Sequence, residues 1–285
     1  MIRFFADMAV NELLLRGLLA GVLAGVACGL IGPYVVTRRI VFLSGAIAHI
    51  VVGGIGAVIF LRFRLPGAFG SIDPLYGAVL SALVAAALVG CVQHFARERL
   101  DTLIGALWAI GMAVGILLLK YTPGYQTEIF SYLFGNVSVV SREDLVLLLG
   151  LDAVIVAALL LTHKRLKALC LDEEFAGLQG ISVLGTNLLL LGLVSLAVVA
   201  LIRVVGLILV IALLSLPAAT SRFFAGRLSG MMAVSVALCV LLTTLPRAAV
   251  YGTRVSPESA IVLAAALAYV LALLTQRLLR GASHS

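Results

Sequence analysis

Two ionisable side chains stand inside long apolar stretches of this chain. His49 lies in the middle of LSGAIAHIVVGGIGA, residues 43–57, and Asp152 lies in the apolar block 144–162. In a segment that crosses a membrane such groups are costly, and they usually face a bundle interior or an aqueous pathway. A neutral imidazole can ligate a borderline metal such as zinc, and a carboxylate can ligate a cation or relay a proton. His49 and Asp152 are therefore the candidate metal ligands.

Small residues share the helical face of His49. Gly45, Gly53 and Gly56 lie four residues before, four after and seven after it, and these spacings bring residues to one face of a helix. Two interpretations stay open. The glycines form a packing seam where helices approach closely and the histidine bonds to a neighbouring backbone carbonyl, or they leave room for a permeating particle beside the imidazole.

For Asp152 and for Pro217 the sequence likewise allows a functional and a structural interpretation. Asp152 is a cation ligand or proton relay, or, as the favoured alternative, pairs with Asn187 or a serine of a neighbouring helix. Pro217, late in the block 204–221, frees a backbone carbonyl and predicts a kink suited to gating. A proline is also ordinary in a membrane helix.

No catalytic or nucleotide-binding motif accompanies these residues. The sequence contains no GxxxxGK[ST], HExxH or GxSxG pattern. Its four cysteines are dozens of residues apart with no CxxC pair, so they are interpreted as packing residues rather than as a disulfide or metal framework. We therefore expect no enzyme, and any use of ATP requires a separate subunit.

The composition predicts the architecture that positions these groups. Of 285 residues, 63% are hydrophobic and 12% charged, and the mean hydropathy is +1.21. Crossing a hydrocarbon core of about 30 Å takes about 20 apolar residues as an α-helix. We predict an all-α polytopic bundle of eight or nine membrane helices in one domain, residues 1–285. The apolar blocks are 15–36, 41–61, 75–93, 102–119, 144–162, 183–201, 204–221, 231–250 and 258–275.

The basic residues predict the orientation. The formal charge is +7, but Lys and Arg lie in short patches beside apolar blocks, which excludes a nucleic-acid-binding protein. The positive-inside rule makes the side with more basic residues cytoplasmic. This places the N-terminus outside and the C-terminus in the cytoplasm. Eleven basic residues lie on that inner side: Arg38, Arg39, Arg97, Arg99, Lys164, Arg165, Lys167, Arg222, Arg227, Arg277 and Arg280.

Two connections carry further patterns. The inner one, 163–182, has a basic cluster and then acids ahead of Phe175 and Leu178, which lie three apart on one helix face. Such a short amphipathic helix docks on a partner or lies in the lipid interface. The outer connection, 120–144, contains FSYLFGN, which is predicted to form a short interfacial helix or to line a vestibule.

Five stretches occur in an order and spacing typical of one family. They are GPYVVTRRIVFLSGAIAH (32–49), DTLIGALWAIGMAVGI (101–116), SYLFGNVSVVSREDL (131–145), DEEFAGLQGI (172–181) and VGLILVIALLSLPAATSRFFA (205–225). Together they resemble the membrane permease subunits of the bacterial zinc, manganese and iron ABC importers. The resemblance covers most of the chain.

The resemblance implies an assembly in the cytoplasmic (inner) membrane. It implies a homodimer of permeases, each docked on a cytoplasmic ABC ATPase, with an extracytoplasmic metal-binding protein delivering a divalent cation that is imported by alternating access. No permanently bound cofactor is implied. It also implies that one segment is the coupling helix that the ATPase holds: Asp172, Glu173, Glu174, Phe175, Ala176, Gly177, Leu178 and Gly180.

The chain departs from the family pattern around the histidine. Typical members have an acid where this chain has Gly45, and zinc-type relatives often have a second histidine where it has Ala109. We expect zinc as the cargo, with manganese or iron next. Two alternatives remain: an autonomous cation transporter or channel using His49 and Asp152, and an ABC permease for a chelated metal or cobalamin-like cargo.

Overall fold

The computed structural model describes residues 2–8, 10–95, 100–122 and 140–282, and within these ranges it is helical without a strand. This confirms the all-α prediction. The FSYLFGN stretch lies outside the described residues. The helices are α1 Ile2–Met8, α2 Glu12–Thr37, α3 Val41–Arg64, α4 Pro66–Phe69, α5 Pro74–Phe95, α6 Leu100–Lys120, α7 Arg142–Leu171, α8 Glu173–Leu178, α9 Val183–Val205, α10 Leu207–Ser221, α11 Leu228–Val250 and α12 Pro257–Ala282.

Eight of these helices are long and apolar enough to cross a membrane: α2, α3, α5, α6, α7, α9, α11 and α12. The remaining apolar block, 204–221, forms α10, which has 15 residues. At 1.5 Å per residue it spans only about 22 Å. It is separated from α9 by Gly206, whose φ of 80° is a left-handed conformation that favours glycine. The connection between the predicted blocks 183–201 and 204–221 is therefore a break at one residue, Gly206.

The predicted connection from His163 begins later in the structure. The segment 163–171 continues α7, which has 30 residues, so the basic cluster lies on the end of a spanning helix. HKRLKALCL contains no glycine or proline and is rich in good helix formers, so nothing in it ends the helix. Only 172–182 remains for the docking element.

The chain divides into two compact units. One comprises residues 1–39, 136–156 and 208–285. Its helices α2 and α11 pack through Gly21, Gly25 and Gly29, which repeat every four residues on one face. A Cβ atom at Gly29 would collide with the backbone of Val236, so the two helix backbones are in direct contact there.

Pro217 lies buried in α10 of the same unit. Because proline has no N–H, the carbonyl of Leu213, four residues earlier, loses its helical hydrogen-bond donor. The thiol of Cys239 on α11 donates to this carbonyl at 3.6 Å. This buried cysteine thus has a specific use at the proline site, beyond the packing role that the sequence predicts.

The other unit comprises residues 40–135 and 157–207, and α3 is at its centre. On one side α3 contacts α5 through Gly54 and Gly77, where either glycine given a Cβ would collide with the other's carbonyl. On another side it contacts α6. Helix α9 bonds to α5 through Ser195 Oγ, which donates to the carbonyl of Ala82 at 3.2 Å.

Candidate functional site

His49 is held in one orientation by its own helix. Its Nδ1 lies 2.8 Å from the carbonyl oxygen of Gly45, one turn earlier. A carbonyl can only accept, so Nδ1 donates, and in the neutral ring the lone pair is on Nε2. A metal-ligating histidine is commonly oriented in this way by a bond from its other nitrogen. Nε2 forms no hydrogen bond with any described residue, so it is the atom available to a cation.

The imidazole also stacks on the chain's single tryptophan. The ring centroids of His49 and Trp108 are 4.4 Å apart, with an angle of 31° between the planes. Trp108 lies on α6 and stands next to Ala109, the position where zinc-type relatives often have a histidine. The ring of His49 is therefore fixed by its hydrogen bond to the Gly45 carbonyl and by the face of Trp108. Residue 109 provides no second imidazole, because it is alanine.

The structure places two of the glycines on the face of His49 at helix contacts. A Cβ at Gly53 would lie 2.9 Å from the carbonyl of Gly111, and one at Gly56 would lie 3.3 Å from the carbonyl of Gly115. Both partners are on α6. These contacts support the interpretation of the glycines as a packing seam. The role of Gly45, Gly53 and Gly56 as pathway walls stays a prediction.

A cavity of about 260 Å³ lies beside this seam, between α3, α5 and α6. Its lining is aliphatic apart from Ser81, whose hydroxyl already donates to the carbonyl of Ala78 at 3.1 Å. A hydrated or partly dehydrated cation needs oxygen or nitrogen ligands. This cavity does not provide them.

Asp152 is buried in the first unit, with 6% of its surface exposed. Its Oδ2 atom makes no hydrogen bond with any described residue. In the other unit the amide of Asn187 donates to Gln93 at 3.0 Å, and the pairing of Asp152 with Asn187 or a serine stays a prediction. Among the described residues no group of three His, Cys, Asp or Glu side chains could hold a metal ion.

Helix α8 is built as the sequence predicts. Asp172 caps it, accepting from the N–H groups of Glu174 at 2.9 Å and Phe175 at 3.1 Å. Gly180, with φ of 76°, ends the turn that follows. Ala176 is fully buried and fixes the helix to its unit, whereas Phe175 and Leu178 are 56% and 86% exposed. The helix thus presents two large apolar side chains on an otherwise polar surface.

Two features of the site escape prediction from sequence. The stacking of Trp108 on His49 depends on the close approach of α6 to α3, which the glycines of both helices permit. The seam interpretation includes a bond from the histidine to a neighbouring backbone carbonyl, but the choice of the Gly45 carbonyl depends on the rotamer of His49. The single tryptophan beside Ala109 is the one sequence signal that pointed to the first feature.

The chain is similar to known transport proteins along most of its length. The model of the ABC 3 transport family matches residues 10–276. A probable metal transport system membrane protein of Chlamydia trachomatis is 37% identical over 93% of this chain and 89% of its own length. The manganese transport system membrane protein MntC of Halalkalibacterium halodurans is 30% identical over 84% of this chain and 78% of its own. The solved structure of PsaBC from Streptococcus pneumoniae in complex with Fab superposes with a TM-score of 0.82 at 28% identity, covering 95% of each chain.

Proposed function

The chain belongs to the ABC 3 transport family, and from this premise we propose that it is the permease of an ABC importer that carries a divalent transition-metal cation into the cytoplasm. The match to that family over residues 10–276 carries the proposal. Eight membrane-length helices make the chain a multi-pass membrane protein. Because its sequence has no nucleotide-binding loop, ATP hydrolysis belongs to a separate subunit docked on α8. A homodimer and an extracytoplasmic metal-binding protein complete the proposed assembly.

We propose manganese ahead of zinc and iron as the cargo. Two observations support this order. The relative from Halalkalibacterium halodurans is named for manganese. Zinc favours nitrogen and sulfur ligands, and the position where zinc-type relatives often have a second histidine is Ala109 in this chain. Uptake of manganese, zinc and iron into proteoliposomes that contain the whole importer decides among them.

His49 is the proposed pathway ligand. Replacing His49 by alanine removes Nε2 and is expected to slow metal uptake about tenfold, since one charge-assisted or metal-directed contact is worth about 1.4 kcal/mol or more. The measurement is initial uptake over a range of metal concentrations. His284→Ala, which removes an imidazole near the end of the chain, is the matched control. Unchanged uptake by His49→Ala would remove this residue from the mechanism.

The proposed orientation requires α10 to cross the membrane despite its 15 residues. With the N-terminus outside, a crossing by α10 places residue 226 in the cytoplasm, and without it residue 226 lies outside. Single cysteines at Val10 and Gly226 in a cysteine-free chain separate the two cases. We expect a membrane-impermeant thiol reagent to label Val10→Cys in intact cells and Gly226→Cys only after permeabilisation. Labelling of both in intact cells would show that α10 does not cross.

One observation favours a second candidate function. Asp152 is a buried carboxylate whose Oδ2 atom has no hydrogen bond among the described residues, and buried acids inside membrane segments mark proton relays and ion pathways. In this alternative the chain transports a cation without an ATPase. Uptake into liposomes that contain the chain alone, driven by a pH gradient and lost in Asp152→Asn, would establish it and would refute the ABC mechanism. No uptake under these conditions would eliminate it.

A further inference from the structure

A polar cavity of about 480 Å³ lies between the end of α7 and the beginning of α9. The segment that follows α8, from Gln179 to Ser182, forms part of its wall. Among the described residues that line the cavity, Arg165 is the only charged one. The N-terminus of α9, a helix of 23 residues, carries the partial positive charge of its unsatisfied N–H groups. The cavity is thus electropositive, although two glutamates stand only a few residues away on α8.

The hydroxyl groups of the cavity are available as donors. Thr186 is 6% exposed, lines the cavity, and its hydroxyl forms no hydrogen bond with any described residue. Ser182 accepts from the N–H of Gly185 at 3.2 Å, so its own proton remains free. Together with the guanidinium of Arg165 and the amide of Gln179, these groups make a set of donors. A phosphate oxygen is the acceptor that such a set matches.

The position of the cavity indicates where the phosphate comes from. Arg165 belongs to the last two turns of the spanning helix α7, and Leu160 and Leu161, about one turn earlier, are 78% and 85% exposed. Such side chains on a membrane helix face lipid tails. The cavity therefore lies where the apolar surface gives way to the headgroup region, and basic pockets between helices at this level bind acidic headgroups.

We propose that this cavity binds the phosphate group of an anionic phospholipid. Arg165 pairs with the phosphate, Ser182 and Thr186 donate to its oxygens, and the acyl chains lie along the exposed leucines of α7. The bound lipid bridges the end of α7 and the start of α9, the two helices that α8 connects. It would therefore stabilise the position of α8 independently of any metal or ATPase.

The test measures thermal unfolding of the purified full chain in a neutral detergent. Short-chain phosphatidylglycerol, phosphatidylcholine of the same chain length and sodium phosphate are titrated at constant ionic strength. A ligand that binds only the folded protein raises Tm with its concentration. We expect phosphatidylglycerol to raise the Tm of the wild type, and the other two probes to have little effect.

Three variants assign the effect to the cavity. Arg165→Gln is expected to weaken the apparent affinity for phosphatidylglycerol about tenfold, and Thr186→Val about threefold. Lys164→Gln removes the neighbouring exposed charge, which does not line the cavity, and is expected to behave as the wild type.

Equal losses in Arg165→Gln and Lys164→Gln would overturn the proposal, because they would show a diffuse attraction to the basic helix end. Equal protection of the wild type by phosphatidylcholine would also overturn it. Equal protection by sodium phosphate would overturn the lipid as the source of the phosphate group.

Discussion

Replacing Phe175 and Leu178 together by alanine is expected to abolish co-purification of the partner ATPase while the permease itself stays folded. The two side chains are 56% and 86% exposed, so docking on the ATPase would remove a large apolar surface from water. Apolar anchors that fill a pocket typically contribute about 2 kcal/mol or more each, so the pair corresponds to roughly a thousandfold in affinity. The helix should persist, because Asp172 caps it and Ala176 anchors it.

The control for this prediction is a matched truncation on the spanning helix. Leu160 and Leu161 are equally apolar and are 78% and 85% exposed, but they lie within α7. Their double alanine variant should retain the ATPase. Stimulation of ATP hydrolysis by the reconstituted permease is the second measurement, and it should be lost in the α8 variant alone. Wild-type levels of co-purification from the α8 variant would mean that the ATPase docks elsewhere.

The membrane helices were predictable because hydropathy and length alone define them. Eight of nine apolar blocks correspond to helices long enough to cross a bilayer. The start of the short helix α10 was harder to predict, since it depends on the left-handed backbone conformation of Gly206. A glycine in an apolar run does not reveal its φ, and Gly192 in α9 continues the helix while Gly206 ends it. Backbone conformation at such a residue follows from tertiary packing.

Helix α8 was predictable from its local chemistry. Asp172 followed by two glutamates is an N-terminal capping pattern, and Gly180 is a termination signal. The same reasoning failed at His163, because charged residues alone do not end a helix and α7 runs on to Leu171.

The site around His49 was predictable only in part. The histidine and the glycines on its face are periodic in sequence, whereas the partner of each is set by a neighbouring helix. Gly53 contacts Gly111, and Gly111 is itself separated from His49 by dozens of residues. The same pattern of glycines is compatible with an open groove and with a packed seam. The distance between α3 and α6 decides between them, and the sequence does not give that distance. In this structure Gly53 and Gly56 lie at contacts with α6, and their role as pathway walls stays a prediction that uptake assays test.

Direct contact between α2 and α11 gives the other large expected effect. Gly29→Ala is expected to destabilise the folded permease by about 3 kcal/mol, because the added methyl meets the backbone of Val236 and no change of rotamer can relieve the collision. The helices must separate, and the contacts of Gly25 with Val240 are lost with it. The thermal midpoint in detergent and the yield of monodisperse protein should both fall.

Gly192→Ala is the matched control for this seam. It too adds one methyl to the interior of a spanning helix, but no atom outside the local helix backbone lies within 4 Å of the new Cβ. Since alanine has the higher helix propensity, this change should be neutral or slightly stabilising. The difference in thermal midpoint between the two variants therefore measures the effect of the collision between helices, separately from the effect of helix propensity. Equal thermal midpoints for Gly29→Ala and Gly192→Ala would show that α2 and α11 have room to separate without cost, and that the repeated glycines of α2 do not define the packing of this unit.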